Sequence, residues 1–89
     1  MEEVIMHSTE LIRKFPENPQ RPILYVVYNE HHIYDAKHFI STIHGIEYFE
    51  EHVEIVTFNE ENPGYKHDFT KYDVYVDPTV YKYKMSWNN

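Results

Sequence analysis

The run Ile23-Leu24-Tyr25-Val26-Val27-Tyr28, with Pro22 before it and Asn29-Glu30 after it, decides the fold. It is continuous, apolar and rich in β-branched and aromatic residues, so it reads as a central strand covered on both faces. Downstream the period lengthens. Between His32 and His44, residues Ile33, Ala36, Phe39, Ile40 and Ile43 recur on one helical face, with Asp35, Lys37, His38 and Thr42 outside it. Gly45 is placed to end that helix, and a further short helix is expected over Glu47–Glu51. Val53-Glu54-Ile55-Val56-Thr57-Phe58 then reads as a second strand. A strand, a helix of this length and another strand make a right-handed βαβ unit with parallel pairing.

Farther on, Asn62-Pro63-Gly64 is a loop and Tyr72-Asp73-Val74-Tyr75-Val76-Asp77 a third strand ending at Pro78. Val80 to Met85 alternates, Tyr81, Tyr83 and Met85 against Val80, Lys82 and Lys84, which predicts a C-terminal edge strand guarded by lysines, or else an extended tail. Upstream, Val4, Ile5, Ser8, Leu11, Ile12 and Phe15 fall at helical spacing. A second parse makes Val4-Ile5-Met6 a short strand, with Ser8 or Thr9 capping a helix from Glu10 to Phe15. Pro16, Pro19 and Pro22 end any helix there. The expected fold is an α/β domain: a small, mainly parallel sheet with a βαβ unit, one or two packing helices and the C-terminal edge strand.

The chain has 89 residues, enough for one domain over positions 1–89 but not for two cores. Its aromatic content of 17% compensates for small size by burying much area per residue. The longest apolar run is far short of the roughly 20 residues of a membrane span, and the acidic start Met1-Glu2-Glu3 is unlike a secretory leader. Zero Cys excludes disulfides, thiol catalysis and thiolate zinc sites, and fits a cytoplasmic protein.

Fifteen acids against eight bases give a formal charge of −7, which disfavours duplex DNA as a partner. Glu47, Glu50, Glu51, Glu54, Glu60 and Glu61 occupy a stretch with no Lys or Arg. That stretch reads either as a solvated face or as a docking surface for a basic partner. Tyr81-Lys82-Tyr83-Lys84-Met85-Ser86-Trp87 interleaves bases and aromatics. It reads as an edge strand with one face packed inward, as a stacking surface for single strands, or as aromatic anchors for a protein partner. No Gly-x-Ser-x-Gly elbow accompanies Ser8, Ser41 or Ser86, and paired glutamates are explained by solubility, so no catalytic residue is assigned. His31, Asp35 and His38 fall at i, i+4 and i+7, a spacing that allows a divalent ion but supplies fewer ligands than a closed structural site needs. No cofactor is expected.

Met6-His7-Ser8-Thr9-Glu10-Leu11-Ile12-Arg13-Lys14 resembles the helix that follows the phosphate loop of P-loop NTPases of the RecA-like or helicase and terminase type. In the same comparison Ile23–Tyr28 is similar to the next strand, and Asp73-Val74-Tyr75-Val76-Asp77 looks like a Walker B strand leading to an acid that would hold magnesium. The resemblance implies a nucleotide-binding type of core. Its phosphate loop is missing: no Gly-x-x-x-x-Gly-Lys occurs, and His7 stands where the family has its Lys. Without converging glycine N–H groups and a lysine, a net-acidic chain has no means of cradling triphosphate. The expectation is a truncated or degenerate core that is not an enzyme and acts through its exterior on a protein partner. In style the chain resembles small acidic bacteriophage accessory proteins that inhibit a host enzyme or defence complex by occlusion. A degenerate nucleotide- or nucleic-acid-binding subunit of a larger assembly is the alternative, and a homodimer through the Val80–Met85 edge a third.

Overall fold

A computed structural model describes residues 8–58 and 68–81. Their order is α1 (Ser8–Arg13), β1 (Ile23–Val27), α2 (His31–His44), α3 (Ile46–His52), β2 (Val53–Thr57), a 3₁₀ turn (Phe69–Lys71) and β3 (Asp73–Val76). One turn of helix follows over residues 78–81. The three strands form a wholly parallel sheet in the order β2-β1-β3, so the fold is α/β with the apolar run in the middle. Every residue of β1 is buried, as a strand with neighbours on both edges requires.

Alternation sorts the sheet into two faces. Ile23, Tyr25 and Val27 share one face, and there they form a single core with Ile12 and Phe15 from the first helical segment and Ala36 and Ile40 from α2. Val53, Ile55 and Tyr75, register partners on that face, pack against the same cluster. Leu24 and Val26 point the other way, beside Glu54, Val56, Val74 and Val76. Gly45 joins α2 to α3 with φ +105° and ψ 149°, a backbone conformation open essentially to glycine. Its N–H closes α2 on the Ser41 carbonyl at 2.8 Å, and its carbonyl accepts from Phe49 at 3.1 Å to start α3.

Two expectations change. Of the strand predicted over Val80–Met85, Val80 and Tyr81 are helical, while Lys82 to Met85 lie outside the described residues. The reason is Asp77: its side chain accepts from the Thr79 N–H at 2.9 Å, with Pro78 at the first helical position, an ordinary helix start. At the other end, the first helix begins at Ser8, nearer the second parse than the first, and Val4-Ile5-Met6 lies outside the described residues.

Candidate functional site

Two places concentrate polar chemistry, and the first is the C-terminal end of the sheet. The chain leaves β1 for β2 on one side and returns to β3 on the other. In open parallel sheets the crevice between two such strands is where ligands enter. Asp77 stands there, its N–H continuing the ladder onto the Val26 carbonyl at 2.8 Å. By alternation it shares the helix-covered face with Tyr25 and Tyr75. It is 4% exposed, the buried charged residue among those described.

The carboxylate is enclosed by donors of its own chain. Ser8, at the start of α1, donates its hydroxyl to Oδ1 at 3.3 Å from 69 residues away. Thr79 donates both its N–H at 2.9 Å and its hydroxyl at 2.8 Å to the same oxygen. Oδ2 accepts from the Tyr25 hydroxyl, and Tyr25 is fully buried. Burial, then the hydrogen bond to Asp77 and that residue's charge, push the Tyr25 phenol far above its ordinary range, with a smaller opposing effect from Ser8. The Tyr25 ring is held edge-on to Phe15 at 5.7 Å between centroids.

Magnesium, which the P-loop resemblance implies for this acid, does not fit. A carboxylate offers about four lone-pair positions, and four donors from Ser8, Tyr25 and Thr79 meet it in a nearly water-free setting. Arrangement and burial make Asp77 a cap that ties α1, β1 and the last helical turn together.

The second place is an open groove of about 440 Å³ at the junction of α2 and α3, lined by His44, Gly45, Ile46, Glu47, Tyr48, Glu51 and His52. The floor is rigid. His44 Nε2 lies 2.8 Å from the Ile12 carbonyl, which can only accept, so that nitrogen carries the proton. Its ring stacks between Phe15 and Tyr48 at 5.7 and 4.6 Å, and Tyr48 donates its hydroxyl to the Pro16 carbonyl at 2.5 Å. Burial, then the neighbouring Tyr75, raise the Tyr48 phenol. The rim carries the exposed carboxylates of Glu47 and Glu51, one helical turn apart, and the exposed side chain of Ile46. His52 Nε2 is 3.7 Å from the Glu51 carboxylate.

The four described glutamates of the acidic stretch divide between a helix and a strand. Glu47, Glu50 and Glu51 are exposed on α3. Glu54, also exposed, pairs in register with Leu24 and so stands on the sheet face away from the helices, where Tyr72 donates to it at 3.3 Å. Glu60 and Glu61 lie outside the described residues. Of the aromatic anchors, Tyr81 is 56% exposed on the last helical turn, and Tyr83 and Trp87 lie outside the described residues. His31, Asp35 and His38 are exposed along α2, and among the described residues no group of three or more His, Asp or Glu is arranged to hold a metal ion. No helix among those residues is long and apolar enough to cross a membrane.

Sequence reasoning missed Tyr25 and the groove. Tyr25 sits inside an apolar run and carried no polar signal of its own; the Asp77-Pro78-Thr79 start of a helix was the available clue to its partner. Comparison with known protein families, curated proteins and solved structures finds no match to this chain.

Proposed function

We propose that this chain is a non-enzymatic protein-binding module that seats a basic, partly apolar surface of a partner against α3. The observation that carries the reading is the groove: two exposed carboxylates, Glu47 and Glu51, flank an exposed Ile46 over a floor of stacked His44 and Tyr48 rings. Glu50 extends the negative edge. A rigid aromatic floor costs little side-chain entropy on binding, and acidic rims raise association rates toward basic partners. The saturated Asp77 supports the same reading, because the crevice where a parallel sheet would take a small ligand is occupied by the protein's own donors. Occlusion of a basic groove on a host enzyme or defence complex, in the reducing cytoplasm, is the biological setting this proposal gives it.

The test is charge reversal. Glu47→Lys, Glu50→Lys and Glu51→Lys together should abolish retention of a partner from extracts of the native host while leaving the unfolding curve nearly unchanged. Retention by the native chain should weaken as salt rises. Undiminished binding by the reversed variant would remove α3 from the mechanism.

A second reading rests on a different observation, the approach of Ser8 to Asp77 at 3.3 Å across 69 residues. It supports a degenerate nucleotide-binding core working as a subunit of a larger assembly. Micromolar, magnesium-dependent ATP binding in a calorimeter, or salt-dependent binding of a polynucleotide, would favour it over the first. A homodimer through Val80–Met85 loses its basis at Val80 and Tyr81, which are helical and not extended.

A further inference from the structure

Resting on the α3 reading, we propose that the group the groove accepts is an arginine side chain of the partner protein, laid against the His52 ring and bonded to Glu47 and Glu51. Four rings form a column from the core outward, Phe15, His44, Tyr48 and His52, with successive centroids 5.7, 4.6 and 5.0 Å apart. Phe15 is buried at the inner end, and His44 and Tyr48 each contact two rings. His52 ends the column inside the groove, its side chain 28% exposed. Its Nε2 lies 3.7 Å from the Glu51 carboxylate, and Glu47 stands one helical turn from Glu51. A flat ring and two carboxylates therefore share one opening.

The charge of the rim calls for a cation from outside. No Lys or Arg is among the described residues that line the groove, and Lys37 of α2 holds its ammonium 5.7 Å from the centroid of the Phe49 ring. A carboxylate has about four acceptor positions, so the single contact from His52 leaves Glu51 able to take more. Lysine fits this opening less well. An ammonium is a compact, strongly hydrated charge, and a wall of rings returns little for the water it sheds. A guanidinium is flat, more weakly hydrated and carries five N–H donors in a fork. One face can lie on the imidazole while its edges reach both carboxylates, and its apolar stem passes over the exposed Ile46. The wall is ordered beforehand, because His44 is held by the Ile12 carbonyl at 2.8 Å and Tyr48 by the Pro16 carbonyl.

The experiment titrates the full chain with two blocked pentapeptides, Gly-Gly-Arg-Gly-Gly and Gly-Gly-Lys-Gly-Gly, and follows amide and side-chain resonances. The arginine peptide should shift the amides of Gly45 to His52 and bind about fivefold tighter than the lysine peptide, the margin expected of a cation on a ring. Its δ-methylene protons should move upfield and show contacts to the His52 ring. Glu47→Gln/Glu51→Gln should abolish binding of both peptides. His52→Leu, which keeps both carboxylates, should bring the arginine peptide down to the level of the lysine peptide. Tyr48→Phe, which keeps the ring column, should preserve the preference. Should His52→Leu fail to fold, the contacts to the His52 ring in the native chain decide. Equal affinity for the two peptides, shifts confined to residues outside α3, or a preference that survives in His52→Leu would each overturn the arginine assignment. Equal affinity that is still lost in Glu47→Gln/Glu51→Gln would overturn it while leaving the α3 reading standing, since that reading falls by its own charge-reversal test.

Discussion

The Tyr25–Asp77 contact should be a large single contribution to stability, and a double-mutant cycle isolates it. In Tyr25→Phe the buried carboxylate keeps its bonds from Ser8 and Thr79 and loses the one to Oδ2. Hydrogen bonds to charged groups contribute about 1.5–3 kcal/mol, and that is the expected cost. Asp77→Ala removes more: the cap on the Thr79 N–H, worth about 0.5–2 kcal/mol, and the partner of three hydroxyls, one of them on the fully buried Tyr25. Together these set a loss of about 2–5 kcal/mol. An 89-residue domain has about 4–13 kcal/mol in total, so Asp77→Ala should lie near the edge of folding. In the Asp77→Ala background, Tyr25→Phe should cost nothing or stabilise, since it then removes an orphaned hydroxyl. Urea unfolding followed by far-ultraviolet circular dichroism reads all four proteins. A loss of 2 kcal/mol should move the midpoint by about 1–2 M. The expected coupling is about 1.5–3 kcal/mol. A coupling below about 0.5 kcal/mol, the level at which independent sites add, would refute the role given to this pair.

Gly45→Ala should cost about 1–3 kcal/mol although its new Cβ would meet nothing within 4 Å, because the penalty lies in the backbone at φ +105°; a neutral result in the same urea assay would contradict this. Arg21→Ala breaks an ion pair to Asp73 at 3.1 Å that is half exposed, and should cost no more than about 1 kcal/mol, less in high salt. Ile40→Ala, in the fully buried core against Tyr25 and Val27, should cost about 2–5 kcal/mol and shift the thermal midpoint accordingly. Alkali should destabilise the protein. The phenols of Tyr25, Tyr48 and Tyr75 are raised chiefly by burial, so the folded state holds those protons longer than the unfolded chain. Their contribution is complete below pH about 10 and is lost as pH rises from there toward the raised values. Absorbance at the phenolate band should show Tyr25 ionising only as the fold is lost.

The sheet could be read directly because each strand carries its own local signal. Ile23–Val27, Val53–Thr57 and Asp73–Val76 all fall inside the apolar or alternating runs and stop one residue short at Tyr28, Phe58 and Tyr72, although the Phe58 N–H still donates to the Val27 carbonyl. α2 runs from His31 to His44, one residue longer than the helix expected between His32 and His44, and stops where Gly45 allows the turn. The same local reasoning failed after Asp77. The alternation from Val80 onward is equally compatible with a strand, and only the capping of Thr79 by Asp77 decides for a helix. The candidate site was less legible. Charge could be counted along residues 47–61, but which face each glutamate occupies depends on where α3 ends and β2 begins. At His52–Val53 the period switches from helical to alternating, and Glu54 parts from Glu51. Contacts such as Ser8 with Asp77 join positions that no window along the chain contains.

That contact also bears on how the molecule is made. β1, the middle of the sheet, is the second described element to be synthesised, yet one of its two edges waits for Asp73–Val76, and the carboxylate below Tyr25 waits for Asp77. Closing loops of that length before any reward is collected slows the search. A nascent chain that has reached only Thr57 holds a two-stranded ribbon with one side of Ile23–Val27 unmet. It should show no cooperative unfolding by itself, and addition of the remaining residues should produce the transition in a single step.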